Sequence, residues 1–249
     1  MSTTYLSRLN RFQATGLHLL ASLAVLIFIF GFVKLVWYPQ QLFFAANGFD
    51  ILKILVAVDL VLGPLVMLII FNPKKKSLKF DVIAILICQL LFLGYGVWSL
   101  YTVRPAYIAF VEKEFTLVKA NEIEVDDLNK VEDPSFKHVP FLGPIFIGTK
   151  IPESKEKRDE LMFASLENRG IQTFPQYYVP LKNVQTQMLA NCQTIEHLSL
   201  DKSRKEALEK VKTEIAAPTQ KLLFCSLLIK EQQLFVAIDA EHGEIQGIY

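Results

Sequence analysis

The sequence predicts a membrane protein: three transmembrane α-helices followed by an α+β external domain, with antiparallel strands at both ends of that domain and helices between. Three observations carry this fold class. Gly16–Trp37, Ile51–Phe71 and Phe80–Tyr101 are apolar runs, each with about the 20 residues that cross about 30 Å of hydrocarbon as a helix. None shows the polar stripe every three or four residues that marks a soluble amphipathic helix. Beyond Tyr101 the pattern changes to short β-rich segments and charged helical ones, as in an α+β domain. Residues 1–101 therefore form the helical region, and 102–249 an external domain long enough to build its own core.

Arg8 and Arg11 precede the first run as in a secretory signal. The run is too long for one, and Lys34–Pro39 is not a small-residue cleavage site, so it reads as a retained anchor. Orientation follows from the basic residues. The N-terminal tail carries Arg8 and Arg11 without acids, and the second loop carries Lys74, Lys75, Lys76 and Lys79. Tyr38–Asp50 has no Lys or Arg. The tail and lysine loop are expected in the cytoplasm, and everything after Tyr101 outside. Trp37, Tyr38, Trp98 and Tyr101 fall where an outer aromatic belt would sit. Arg104-Pro105 stops the third helix, because a residue before proline is pushed out of the helical region. The net charge of +1 hides this split and gives no case for nucleic acid.

In the external domain, Ala106–Val111 and Phe115–Lys119 read as a hairpin around Glu112-Lys113-Glu114. Glu122–Pro134 is acidic and fits a short helix or surface loop, and Pro144–Lys150 another strand. Glu153–Asn168 is helical in pattern and closes at Gly170; Leu181–Thr194 is a second helix candidate. Asp201–Ala216 is a third, with Asp201 as N-cap, Glu206 and Lys210 paired at i,i+4, and Pro218 closing it. Lys221–Lys230, Gln233–Asp239 and Glu244–Ile248 alternate with turns as an antiparallel meander.

Asp59 is the anomaly of the helical region, because a carboxylate at that depth costs a few kcal/mol. It lies about 18 Å from the cytoplasmic end of its helix; on the third helix Gln89 lies at about 14 Å and Tyr95 at about 23 Å. Either could meet Asp59 in a lock between the second and third helices; a contact with a partner's membrane helix is the alternative. Pro64 removes a backbone donor, so a kink is expected about one turn from Asp59. Gly94 and Gly96 would let another helix approach closely.

Cys192 and Cys225 are a disulfide candidate in an oxidising compartment, against the alternative of two buried thiols; Cys88 fits plain helix packing. Catalytic and metal signals are weak. His18, His138, His197 and His242 are scattered, and there is no C-x-x-C, H-E-x-x-H, G-x-S-x-G, P-loop or dinucleotide fingerprint. No cofactor, metal site or enzymatic activity is expected.

Trp37-Tyr38-Pro39, Val58–Leu65, Phe71–Lys74, Leu78–Asp81, Gln89, Tyr95-Gly96 and Arg104–Tyr107 form an ordered series over roughly residues 8 to 120. In this series the chain resembles the type IV pilin accessory proteins of the TfpX/TfpZ type. The resemblance implies a protein of a Gram-negative inner membrane, with its N-terminus cytoplasmic and its C-terminal domain periplasmic. Its partners would be a cognate type IV major pilin, other inner-membrane pilus components and membrane lipid. Its role would be to assist pilin assembly or shift the balance of pilus extension and retraction. An envelope enzyme acting on pilin or another periplasmic substrate, or a structural or sensing subunit of another envelope complex, are the competing readings.

Overall fold

A capping box opens the first helix, Arg11–Phe32: Gln13 N donates to Asn10 Oδ1 at 2.8 Å, and Asn10 N donates to Gln13 Oε1 at 3.1 Å. The computed structural model describes residues 9–198, 208, 221–229 and 232–249. The helix runs on through a π-helical turn, Val33–Trp37, giving an apolar span over Arg11–Trp37. The second span, Gly48–Ile70, is α-helical over Gly48–Val56 and Gly63–Ile70, with a π-helical turn over Ala57–Leu62 between them. Pro64 cannot donate to residue 60, and its ring crowds that carbonyl. The expected break is therefore a widened turn just before the proline. The third span is Leu78–Thr102. All three are long and apolar enough to cross a membrane.

The chain divides into two units: one holds the helices up to Leu35 and over Asn47–Thr102, the other Val36–Ala46 with Val103–Tyr249. The loop after the first span, expected with the helices, thus groups with the second unit. The reason is burial. Tyr38, Leu42 and Phe43 are fully buried, and Trp37 and Ala46 nearly so. Trp37 and Tyr38 are core residues, not the lipid-facing belt their positions suggest.

Within the helical unit, Ala14, Met67, Phe71, Leu78 and Ile85 form an apolar cluster. Gly96 accepts the branched end of Leu55, which a Cβ at Gly96 would strike. Gly94 faces open space.

The second unit is built on one seven-stranded sheet in the order β4-β3-β1-β2-β5-β6-β7. The strands are β1 Pro105–Val111, β2 Glu114–Lys119, β3 Ile145–Thr149, β4 Tyr178–Pro180, β5 Leu222–Ile229, β6 Gln232–Asp239 and β7 Ile245–Ile248. The hairpin β1/β2 and the meander β5/β6/β7 are antiparallel, as expected. They join through a parallel β2/β5 pairing, and β3 adds parallel to β1, so the sheet is mixed. β4 was hidden by its length of three residues and its closing proline.

Lys155–Leu166 and Gln185–Asn191 supply two of the expected helices, the second entered through a 3-10 turn at Leu181–Val184; Val125–Leu128 is the short acidic one. The Asp201–Ala216 helix candidate, Leu208 apart, lies outside the described residues. Two cores result. Tyr107, Val118, Phe136, Ile147 and Tyr178 lie in one; Ile195, Leu208, Leu222, Phe224 and Phe235 lie in the other.

Candidate functional site

In the helical unit the polar residues gather at the break in the second span. Asp59 lies in the π-helical turn and is 4% exposed; its Oδ2 is buried without a hydrogen-bond partner. Tyr95 does not come to it, being 72% exposed on the third helix. Gln89 and His18 instead close on Gly63: a Cβ there would strike the Gln89 amide and lie 3.2 Å from His18 Nε2. The absent side chain of Gly63 therefore makes room for two polar groups. His18 is buried with the Gln89 side chain as a hydrogen-bonding neighbour, whereas Thr15 Oγ1 is buried without a partner. The expected lock of Asp59 with Gln89 or Tyr95 is not formed by a side-chain hydrogen bond among the described residues. His18 belongs to no metal or catalytic motif in the sequence. Its depth pointed to the cluster: both it and Gly63 lie seven residues from the matching span ends, about 10 Å in.

In the second unit the Val36–Ala46 segment is pinned at several points. Gln40 Oε1 accepts from Ile248 N at 2.6 Å, and Trp37 meets Phe141 edge-on at 6.1 Å. Arg104, buried directly after the third span, donates through Nη2 and Nε to Pro140 O at 2.9 and 3.3 Å. Burial pushes the Tyr38 phenol well above its ordinary value, partly opposed by the Arg104 charge. Tyr107 Oη donates to His138 O at 3.1 Å, and burial pushes that phenol up to about 12. These tyrosines stay neutral and serve packing.

Asp127 is, with Asp239, a buried carboxylate among the described residues of this unit. Burial alone would raise its pKa, but hydrogen bonds from Lys130 and Arg169, with their charges, outweigh it and hold the group below its ordinary range. Arg169 also pairs with Glu124 at 3.1 Å and lies 4.4 Å over the Phe174 ring. Nearby, an open cleft of about 940 Å³ is lined by residues including Lys130, Lys157, Glu160 and Tyr177. Charges of both signs line it, with no arrangement of nucleophile, base and orienting group that would define a reaction. No group of three or more metal-ligating side chains occurs among the described residues.

Cys192 and Cys225 are brought together by strand register. Gln193 and Phe224 exchange both backbone hydrogen bonds in an antiparallel bridge, at 3.0 and 2.8 Å. That makes residues 192 and 225 the adjoining non-hydrogen-bonded pair, whose Cα atoms approach to about 4.5 Å. They are 4.5 Å apart here, within disulfide reach. Cys88 is exposed on the third helix.

The chain is similar to fimbrial assembly proteins of Dichelobacter nodosus. It is 26% identical to the serogroup I protein and 25% to the serogroup E1 protein, each over 169 residues. Either match covers 67% of this chain and 65% of the relative, so the chain spans about two thirds of their length. The protein of serogroups C1 and C2 is 29% identical over 118 residues, 47% of this chain and 90% of the relative. No family model matches the chain, and no solved structure does.

Proposed function

We propose that this chain is a non-catalytic inner-membrane accessory protein of type IV pilus assembly, of the TfpX/TfpZ kind. The similarity to fimbrial assembly proteins over 169 residues carries the reading. In it the lysine-rich loop is cytoplasmic and the mixed-sheet domain periplasmic, following the distribution of basic residues. The chain binds a cognate pilin and assists its assembly or shifts the balance between extension and retraction. A pilin subunit waiting in the membrane presents an apolar helix and a water-exposed head. Three apolar spans joined to an α+β domain offer a surface for each. In this oxidising compartment Cys192 and Cys225 form a disulfide.

Cross-linking and co-purification from membranes, with pilin present and absent, tests the reading. Pilin is expected in the cross-linked product, and deletion of the gene is expected to reduce piliation. Undiminished piliation together with no pilin in the product would sink the proposal.

A further inference from the structure

The Pro140–Gly143 loop carries two large exposed apolar side chains, Phe141 and Leu142, the second 67% exposed. Its position is fixed by residues at the ends of membrane spans. Trp37, the last residue of the first span, packs edge-on against Phe141 at 6.1 Å. Gly143 has φ +56, and a Cβ there would lie 3.0 Å from Val36 O, so the loop backbone is pressed against the residue that precedes Trp37. Arg104, two residues beyond the third span, holds Pro140 O with two guanidinium hydrogen bonds. A third exposed apolar group, Phe44, sits two residues before Ala46, close to the start of the second span at Gly48.

Each of these ties is to a residue within two positions of the end of a candidate span, and the headgroup layer adds only about 5–7 Å on each side of the hydrocarbon. With the hydrocarbon ending at Trp37, a ring 6.1 Å from it would fall within that layer. Trp37 and Tyr38 cannot face the lipid themselves, being buried. From this geometry we infer that Phe141 and Leu142 form a lipid-docking tip that inserts into the interfacial layer of the bilayer. The occupant is the lipid surface, because the ties that hold the loop all end on membrane-span boundaries. Another exposed apolar group of this unit, Met162, Phe163 and Leu166 on the Lys155–Leu166 helix, has no such tie among the described residues and serves as the internal comparison. The inference needs only the spans, and holds whichever partner the protein serves.

The test places a photoreactive benzoyl-phenylalanine at Leu142, and separately at Met162, in the full chain reconstituted in phosphatidylethanolamine–phosphatidylglycerol vesicles. After irradiation, mass spectrometry is expected to find several-fold more lipid adduct at position 142 than at 162. Equal adduct at both positions, or adduct at 142 only to protein, overturns the inference. Leu142→Trp gives an independent reading. Its added fluorescence is expected to be quenched by lipids brominated near the headgroup, and an unquenched increment equally overturns it.

Discussion

Gln40 and Ile248 stand 208 residues apart in sequence, yet Gln40 Oε1 accepts a hydrogen bond from the Ile248 amide at 2.6 Å. β7 is the last strand of the sheet, and Tyr249 N turns inward to Phe235 O, so Ile248 N faces out from the edge. An open strand edge is a template for unwanted pairing. Here a side chain from the segment between the first two spans occupies it, and Gln40 holds φ +54 to do so.

Two substitutions at Gln40 separate these effects. Gln40→Ala loses the edge hydrogen bond and keeps the left-handed backbone, and is expected to cost about 1–2 kcal/mol. Gln40→Gly loses the same bond but relieves the backbone, so it should melt above Gln40→Ala and below the parent. Thermal unfolding of the detergent-solubilised chain reads the order; equal melting of all three would show that the contact contributes nothing.

Arg169 and Lys130 hold Asp127 unequally. The Asp127 side chain is buried and Arg169 three-quarters buried, whereas Lys130 is mostly exposed. Arg169→Ala leaves a buried carboxylate and is expected to cost about 3 kcal/mol, while Lys130→Ala should cost under about 1 kcal/mol. Adding Asp127→Asn to Arg169→Ala should recover part of the loss. The sign with pH follows from the depressed Asp127 carboxyl. Its contribution is complete above the ordinary carboxylate value of about 4, and is lost as pH falls through the lower folded value. Acid unfolding of the Asp127→Asn variant should therefore be flatter below about pH 4 than that of the parent.

The three spans and both strand groups were legible because their periods are local: unbroken apolar runs, and alternation between turn residues. The parallel β2/β5 junction was not, since it joins strands more than a hundred residues apart and no local pattern encodes it. Nor was the membership of Val36–Ala46, whose lack of charge suits a membrane-side loop and a buried strap equally. At the intramembrane site Asp59 announced itself by its desolvation cost. Tyr95 misled, because depth along a helix fixes height but not the face, and a π-helical turn shifts the faces further.

The pairing of Cys192 with Cys225 closes a loop of 33 residues. A bond across it is expected to contribute about 3–4 kcal/mol by restricting the unfolded chain. Protein purified without reductant should therefore expose one alkylatable thiol, Cys88, after denaturation. Three alkylated thiols would refute the bond. Reduction should lower the melting temperature of the parent and leave a Cys192→Ser/Cys225→Ser variant unchanged.

Gly96 and Leu55 fix how closely the second and third spans approach. Gly96→Ala drives a methyl into the Leu55 side chain, an overpacking expected to cost about 1–3 kcal/mol. Leu55→Ala opens space at the same point. The double variant should then be more stable than Gly96→Ala alone, with a non-additive coupling visible in a double-mutant cycle. Gly94→Ala, facing open space, should be neutral.

Asp59 makes the last case. Its Oδ2 is buried without a hydrogen-bond partner, an arrangement that costs stability and does not favour a lock. Asp59→Leu is therefore expected to melt at or above the parent temperature. A group retained at a cost in stability inside a membrane span points to function. In the pilus reading, Asp59→Leu and Asp59→Asn should both accumulate normally and reduce piliation, the second because it keeps the shape and removes only the acid. Thermal unfolding and pilus counts on the same two strains decide the matter. A marked drop in melting temperature for Asp59→Leu would restore the lock, and normal piliation in both strains would remove Asp59 from the mechanism.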